Sequence, residues 1–111
     1  MQLSSKFKSL NYLSTLVKNN TSIGIGGHHF ARLPIALINN LLNKNPKNLE
    51  FISWSGGLAL ELFLQKNAVK KIQICFSSLD IFGLAPIFRR TCENKKIQVI
   101  DWSALGLIKA L

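Results

Sequence analysis

Short apolar runs alternate with amphipathic stretches along this chain, and the alternation predicts strands separated by helices. Runs rich in β-branched residues and bounded by turn residues predict four strands, at 22–25, 49–53, 71–76 and 97–101. Apolar residues at helical spacing predict a helix before the first strand and one after each strand. The resulting order, one helix followed by four strand–helix units, predicts an α/β fold with an open parallel sheet of about four strands and flanking helices.

The predicted helices carry start and stop signals. Pro34 and Pro86 suit the first turns of the second and fourth helices, because proline lacks the N–H that would be unpaired there. Ser103 is expected to cap the last helix. The second helix is expected to end near Asn43, and Asn94 is expected to cap the end of the fourth. The face of the first helix that is expected to be apolar consists of Phe7, Leu10, Leu13, Leu16 and Val17.

Small residues follow each of the first three predicted strands. Glycine lets a ligand or another backbone approach, because it has no Cβ. The carboxyl ends of parallel strands meet at one edge of the sheet, where open α/β sheets bind ligands. The three loops therefore predict a binding edge. Its candidate residues are Gly26 and Gly27 in the first loop, Ser55, Gly56 and Gly57 in the second, and Ser77, Ser78 and Gly83 in the third.

Composition adds a charge but no decisive chemistry. The chain has 111 residues, 48% of them apolar, which suffices for one packed domain. Its 14 Lys and Arg against 5 Asp and Glu give a net charge of +9. This charge either attracts phosphates, as of nucleic acid or a cofactor, or is a composition bias spread over solvated faces. Two cysteines without ligand spacing suggest reduced thiols of a cytoplasmic protein. No apolar run is long enough to span a bilayer, so no membrane partner is expected.

The residues alone provide half of a catalytic site at most. The glycines follow neither the dinucleotide pattern GxGxxG nor the phosphate loop, which requires a lysine. His28 and His29 are adjacent and have no carboxylate or Cys nearby in sequence, so we predict no metal site. Arg32, and Arg89 or Arg90 near the third loop, could hold a carboxylate or phosphate, although at least one of the pair is expected on a solvated helix face. Asp80 is the one carboxylate in a loop of the predicted edge, and no nucleophile–base set is evident.

The segment from Asn19 to Pro34 resembles the signature of the A-type subunit of the family I coenzyme A (CoA) transferases, the group that includes glutaconate and 3-oxoacid CoA-transferases. The Gly26-Gly27 pair and Pro34 keep the signature spacing. Arginine at position 32, where many members have glycine, resembles the glutaconate-type branch, as do the stretches 55–58 and 77–90. Two further departures from the signature are Gly24 within its apolar triplet and His28 in place of phenylalanine.

The resemblance implies a three-layer α/β fold and a ping-pong reaction in which a glutamate attacks an acyl-CoA thioester. That glutamate belongs to the B-type subunit, so this chain is expected to hold no catalytic residue and to work in a hetero-oligomer with a B-type chain. CoA is then a substrate, exchanged between an acyl group and a carboxylic acid, and no permanently bound cofactor is expected. Where some members have a glutamine near the oxyanion, this chain has Ala104. The residues expected to line the site are Gly26, Gly27, Arg32, Ser55, Gly56, Gly57, Ser77, Ser78 and Gly83.

Residues 1–111 are interpreted as a single partial domain, similar to the N-terminal portion of the A-type domain. Alone, it is expected to be marginally stable, with apolar surface exposed. One alternative is a CoA-dependent ring-opening hydrolase of the same fold. Another, from the charge of +9, is a non-catalytic basic module that binds phosphate or nucleic acid. Basic residues interleaved with aromatic residues on strands would favour nucleic acid, and the sequence has none, so a nucleic-acid partner is not expected.

Overall fold

The computed structural model describes residues 6–111, in which four strands alternate with helices as the sequence predicts. The helices are α1 (Leu10–Thr15), α2 (Ile35–Leu42), α3 (Gly57–Gln65), α4 (Pro86–Asn94) and α5 (Ala104–Ala110). The strands are β1 (Ser22–Gly24), β2 (Leu49–Ser55), β3 (Val69–Phe76) and β4 (Gln98–Asp101). A short 3-10 turn, Asp80–Phe82, lies between β3 and α4.

The four strands form one sheet in the order β1-β2-β3-β4, and every neighbouring pair is parallel. The carboxyl ends of the strands consequently share one edge, which we call the carboxyl edge; the opposite one is the amino edge. Register places Ile23, Phe51, Ile72 and Val99 in one row across all four strands. The prediction of an open parallel α/β sheet is confirmed.

The core lies between one face of the sheet and helices α1 to α4. These helices contact one another in sequence, α1 with α2, α2 with α3 and α3 with α4. Right-handed crossovers in a sheet of this strand order place all the connecting helices on one face. Helix α3 is the most deeply placed, and its Leu60 and Phe63 are fully buried; the Phe63 ring packs edge-on against Phe51 of β2, with ring centroids 5.4 Å apart.

The opposite face of the sheet carries a row of polar side chains joined to Glu50. Its carboxylate accepts hydrogen bonds from Ser22 Oγ at 2.6 Å and Gln73 Nε2 at 2.5 Å. Lys71 Nζ forms an ion pair with it at 2.7 Å. The hydrogen bond from Lys71, followed by those from Ser22 and Gln73, lowers the pKa of Glu50 to about 2. Glu50 is therefore a structural carboxylate that stays charged at neutral pH.

Several predicted boundaries and burials differ in the structure. The apolar face predicted for the first helix is partly wrong, because Phe7, Leu10 and Leu16 are exposed. The side chain buried there is polar: Ser14 Oγ donates to Asn40 Oδ1 of α2 at 2.7 Å. Pattern reading missed this contact because it places apolar residues, not hydrogen-bonded serines, at helix–helix contacts.

Strand and helix ends also move by a few residues. Strand β2 runs two residues further than predicted, so Ser55 ends the strand instead of lying in the loop, and Gly57 is already the first residue of α3. Pro34 lies just before α2, which begins at Ile35. The prediction of Asn94 as the cap of α4 is wrong: Asn94 is the last helical residue, and the cap is Lys95, a left-handed residue with φ 53°. The predicted cap of α5 is confirmed, since Ser103 Oγ accepts from the Gly106 N–H at 3.0 Å.

Candidate functional site

The loops after β1 and β2 are locked together by a close backbone approach. The Leu58 N–H, in the first turn of α3, donates to the His29 carbonyl at 3.0 Å. Gly57 lies against the same carbonyl with φ 45°, and a Cβ built there would stand 2.5 Å from the His29 oxygen. Only glycine fits such a place without displacing the backbone. The second loop therefore needs Gly57 in order to hold the first.

The loop after β3 joins the same assembly. His29 Nδ1 lies 3.1 Å from Ser78 Oγ and 3.2 Å from the Ser78 carbonyl oxygen, so either ring tautomer has a partner. The Phe30 and Phe82 rings pack edge-on, with centroids 5.7 Å apart. Together these contacts bring three loops, which are distant in sequence, to one place at the carboxyl edge.

A groove of about 260 Å³ opens beside the first loop. The backbone of residues 24–27 forms one side, Trp54 and Ile52 of β2 another, and Leu111 closes its end. A Cβ built on Gly26 would meet no atom within 4 Å, so this glycine faces open space. The groove thus exposes backbone and an indole ring at the edge where ligands of open α/β sheets bind.

Two serine hydroxyls at this edge are buried without a partner. Ser55 is 2% exposed, and the Oγ atoms of Ser55 and Ser77 have no hydrogen-bond partner among the described residues. The two side chains follow from adjacent strands, because Ser55 is paired in register with Phe76. Ser53, by contrast, donates to the Ile25 carbonyl at 2.8 Å. A buried polar group without a partner costs stability, so its presence here marks a strained or functional place.

An aromatic cluster, which the sequence analysis missed, adjoins the groove. The His28 ring stacks on Trp54 at 5.3 Å between centroids, and Trp54 packs edge-on against Phe76 at 4.9 Å. His29 lies 3.9 Å from His28 and 5.6 Å from Phe76. One signal was available in the sequence: His28 replaces the phenylalanine of the family signature, and both residues carry a flat ring that can stack. The sequence does not show which residues of the neighbouring strands contact that ring, because this depends on the three-dimensional fold.

Of the nine predicted site residues, Gly26 and Gly27 line this groove and the other seven do not. Arg32 is exposed, is not among the groove's lining residues and has φ 58°, the left-handed region that favours glycine. Gly83, with φ 87°, closes the third loop by accepting from the Leu79 N–H at 2.7 Å. Contacts between the loops nevertheless bring Gly26, Gly27, Ser55, Gly56, Gly57, Ser77 and Ser78 to one edge of the sheet, and Arg32 and Gly83 lie at exposed positions of the same loops.

The carboxylates of the chain are mostly engaged elsewhere. Glu61, only 6% exposed, accepts from the Ile87 and Phe88 N–H groups at 2.9 and 2.8 Å. It thereby holds the amino end of α4, where the helix dipole favours a negative charge. Glu93 pairs with Arg89 one turn earlier at 2.9 Å. Glu61 is a candidate acid–base group by residue type, but its two oxygens stabilise a helix.

Residues 6–111 contain neither a candidate metal site nor an activated cysteine thiol. No group of three His, Cys, Asp or Glu side chains stands close enough there to hold a metal ion. Both cysteines of the chain are free, and burial raises the pKa of the Cys75 thiol, with the nearby charge of Asp101 adding to the effect. A raised pKa leaves less thiolate, the reactive form.

Comparison with known proteins decides the family. A family model described as coenzyme A transferase matches residues 10–111. The chain belongs to the coenzyme A transferase family. The match covers nearly the whole chain and includes all three loops of the carboxyl edge, so this CoA-transferase-like chain carries its glycine loops within the matched domain.

A solved structure adds support for the fold. The chain is similar to the decarboxylase AibA/AibB, with a TM-score of 0.80 and 21% identity over 86% of this chain. The alignment covers 38% of that structure's chain, so the present chain spans well under half of its length. Identity at this level supports the CoA-transferase-like fold and not the reaction. A search of curated proteins gave no match. In residues 6–111, no helix combines the length and the apolar character needed to cross a membrane.

Proposed function

We propose that this chain is an A-type part of a CoA-transferase and forms one wall of an acyl-CoA site. The family match over residues 10–111 is the observation that carries the proposal. The interlocked loops support it, because open α/β sheets bind ligands at the carboxyl edge. The residues assigned to this wall are Gly26, Gly27, Ser55, Gly56, Gly57, Ser77 and Ser78, with Arg32 and Gly83 at exposed positions of the same loops.

In the proposed reaction, a glutamate of a B-type partner attacks the thioester carbonyl of acyl-CoA. The carbon–sulfur bond breaks, CoA leaves as a thiolate, and an acyl-glutamyl anhydride forms. The thiolate then attacks the glutamyl carbonyl, which releases the carboxylic acid and leaves an enzyme–CoA thioester. A second carboxylate reverses these steps and takes the CoA. Covalent catalysis of this kind divides one difficult exchange into easier steps.

Two features support a nucleophile from the partner. Glu50, Glu61 and Glu93 of this chain are bound by ion pairs or backbone N–H groups, which lowers their availability as nucleophiles. The similar solved structure also carries a two-part name, AibA/AibB, which agrees with a chain that works in a pair. This chain then contributes walls and hydrogen bonds, and its partner contributes the bond-forming carboxylate.

The unpartnered hydroxyls of Ser55 and Ser77 are the candidate hydrogen-bond donors of the wall. Donors that are already in place where negative charge develops stabilise a transition state without a cost of reorganisation. In the free chain, the same two hydroxyls stabilise nothing among the described residues. Enzymes commonly keep groups that destabilise the folded chain but stabilise the transition state, and we assign these two hydroxyls to that class.

The first test is co-expression with a B-type chain and an assay of CoA exchange between acyl-CoA and carboxylic acids. We expect exchange by the complex and none by either chain alone. Intact-mass spectrometry after incubation with acyl-CoA should show a CoA adduct on the partner only. A soluble complex without exchange across a panel of short acyl-CoA donors, or an adduct on this chain, would contradict the proposal.

A matched pair of serine variants tests the wall. Ser55→Ala removes a buried hydroxyl that has no partner, so the free energy of unfolding should rise by about 1 kcal/mol, while exchange by the complex should fall about tenfold. Ser53→Ala, two residues earlier on the same strand, removes a donor to the Ile25 carbonyl and should cost about 1 kcal/mol of stability. Unchanged exchange in Ser55→Ala would remove this residue from the proposed wall.

A further inference from the structure

A second groove lies at the amino edge, away from the loops. It has a volume of about 530 Å³ and runs between the end of α3, one face of α4 and the starts of β3 and β4. Small-molecule sites commonly enclose about 300–1,000 Å³. Strand β3 extends from Val69 at this groove to Phe76 at the carboxyl edge, so at about 3.3 Å per residue the two places are roughly 20 Å apart.

The floor of the groove is apolar and its walls are polar. Leu64 and Val69 are buried at 6% and 7% exposure, whereas Arg90, Asn94 and Lys96 are exposed. Arg90 and Asn94 lie four residues apart on α4, so they share one face of the helix. The groove therefore offers an apolar surface beside an amide and two cations.

Among the described residues, no acid pairs with the cations of the groove. None of its lining residues is Asp or Glu. The ion pairs in residues 6–111 are Lys71–Glu50 and Arg89–Glu93, and neither uses Arg90 or Lys96. Lys66, Lys70 and Lys95 are chain neighbours of lining residues and are exposed as well. Five of the 14 Lys and Arg residues of the chain therefore lie in or beside this groove.

We propose that this amino-edge groove binds a small phosphate monoester with an apolar body, its phosphate held by Arg90 and Lys96 and its body lying on Leu64 and Val69. Guanidinium and ammonium groups bind phosphate through charge-assisted hydrogen bonds. The apolar floor distinguishes such a ligand from free phosphate, and a groove of this volume suits a small molecule better than a nucleic-acid duplex. This second site is independent of the CoA-transferase proposal.

Phenyl phosphate is the probe, because it carries a phosphate monoester and an apolar ring and is no part of CoA. By calorimetry at low salt, the full chain should bind it at least fivefold more tightly than inorganic phosphate or phenol. Amide chemical shifts should change at Gln65, Asn67 and Asn94 and stay constant at Gly26. Equal affinity for inorganic phosphate, or shifts confined to the carboxyl edge, would overturn the proposal.

A pair of double variants separates a site from net charge. Arg90→Gln with Lys96→Gln should lower the affinity for phenyl phosphate at least tenfold. Lys47→Gln with Lys109→Gln makes the same charge change at exposed residues outside the groove, and should lower it less than twofold. Circular dichroism checks the folding of both. An equal loss of affinity in the two double variants would assign binding to overall charge and overturn the proposal. Tighter binding of a short DNA duplex than of phenyl phosphate would assign the groove to nucleic acid and would overturn it as well.

Discussion

The two edges of the sheet differ in which residues occupy the left-handed region of backbone conformation. Both contain residues in the left-handed region: Asn20, Asn45, Asn48, Asn67 and Lys95 at the amino edge, and Gly27, His29, Arg32, Gly57, Asp80 and Gly83 at the carboxyl edge. Asparagine tolerates this conformation and keeps a side chain, whereas glycine also allows close approach. The asparagines are exposed turns. Gly57, in contrast, presses against the His29 carbonyl of another loop.

The two edges also differ in how their turns contact one another. At the amino edge, each turn joins a helix to the next strand, and the first two turns are joined by hydrogen bonds from the Asn20 N–H to the Lys47 carbonyl at 3.1 Å and from the Lys47 N–H to Asn19 Oδ1 at 2.8 Å. At the carboxyl edge, three loops share contacts, so one residue's conformation determines the position of another. The same edge contains the two unpartnered hydroxyls and the aromatic cluster. The carboxyl edge is therefore the costlier and more specific construction, which fits a substrate wall.

The largest expected effect is at Gly57. Gly57→Ala adds a Cβ 2.5 Å from the His29 oxygen and fixes a side chain at φ 45°. Left-handed strain of about 1–2 kcal/mol and displacement of the first loop should together lower the free energy of unfolding by about 3 kcal/mol. Urea denaturation followed by tryptophan fluorescence measures this, because Trp54 lies beside that loop.

Gly26→Ala is the matched control at the same edge. A Cβ there meets nothing within 4 Å, so stability should stay within about 0.5 kcal/mol. If both glycine variants lost the same stability, the carboxyl edge would be sensitive to any Cβ, and the argument for a specific interlock through His29 would fail.

The next effect concerns Glu50, which lies near the start of β2, toward the amino edge. Its pKa of about 2 in the folded chain is below the ordinary value of 4.5, so its contribution is complete above pH 4.5 and lost as the pH falls toward 2. Because the carboxylate is partly solvated, we expect about 1–2 kcal/mol. Urea unfolding at pH 6 and pH 3 should show a stability gap between wild type and Glu50→Gln that narrows at pH 3.

Glu93→Gln supplies the comparison for that pH series. The Arg89–Glu93 pair is well exposed, with side-chain exposures of 65% and 58%, so its removal should change stability by less than about 0.5 kcal/mol at either pH. A gap for Glu50→Gln that stays constant between pH 6 and pH 3 would mean that the row Ser22–Glu50–Gln73 does not depend on the carboxylate charge.

Sequence patterns predicted the fold better than the site, and particular residues show why. The strands were found because β-branched runs bury on a sheet whatever surrounds them, as Ile72 and Ile74 do. The meeting of three loops followed from parallel pairing alone. The aromatic cluster of His28 and Trp54 did not, because ring contacts depend on the side on which each loop returns. Glu61 was equally hidden, since its partners are backbone N–H groups of another helix.

The smallest expected effect compares Arg32 at the carboxyl edge with Lys95 at the amino edge. Both are exposed non-glycine residues in the left-handed region, with φ 58° and 53°, and Lys95 caps α4. Arg32→Gly and Lys95→Gly should each relieve strain and raise stability by about 0.5–1 kcal/mol, after the entropy that glycine loses on folding. Thermal melts measure the gains.

Equal gains would show that the two edges differ in the close approach of their loops and not in backbone strain as such. A loss in Arg32→Gly would instead mean that its side chain stabilises the first loop, and a fall in CoA exchange without a loss of stability would add the guanidinium to the proposed wall.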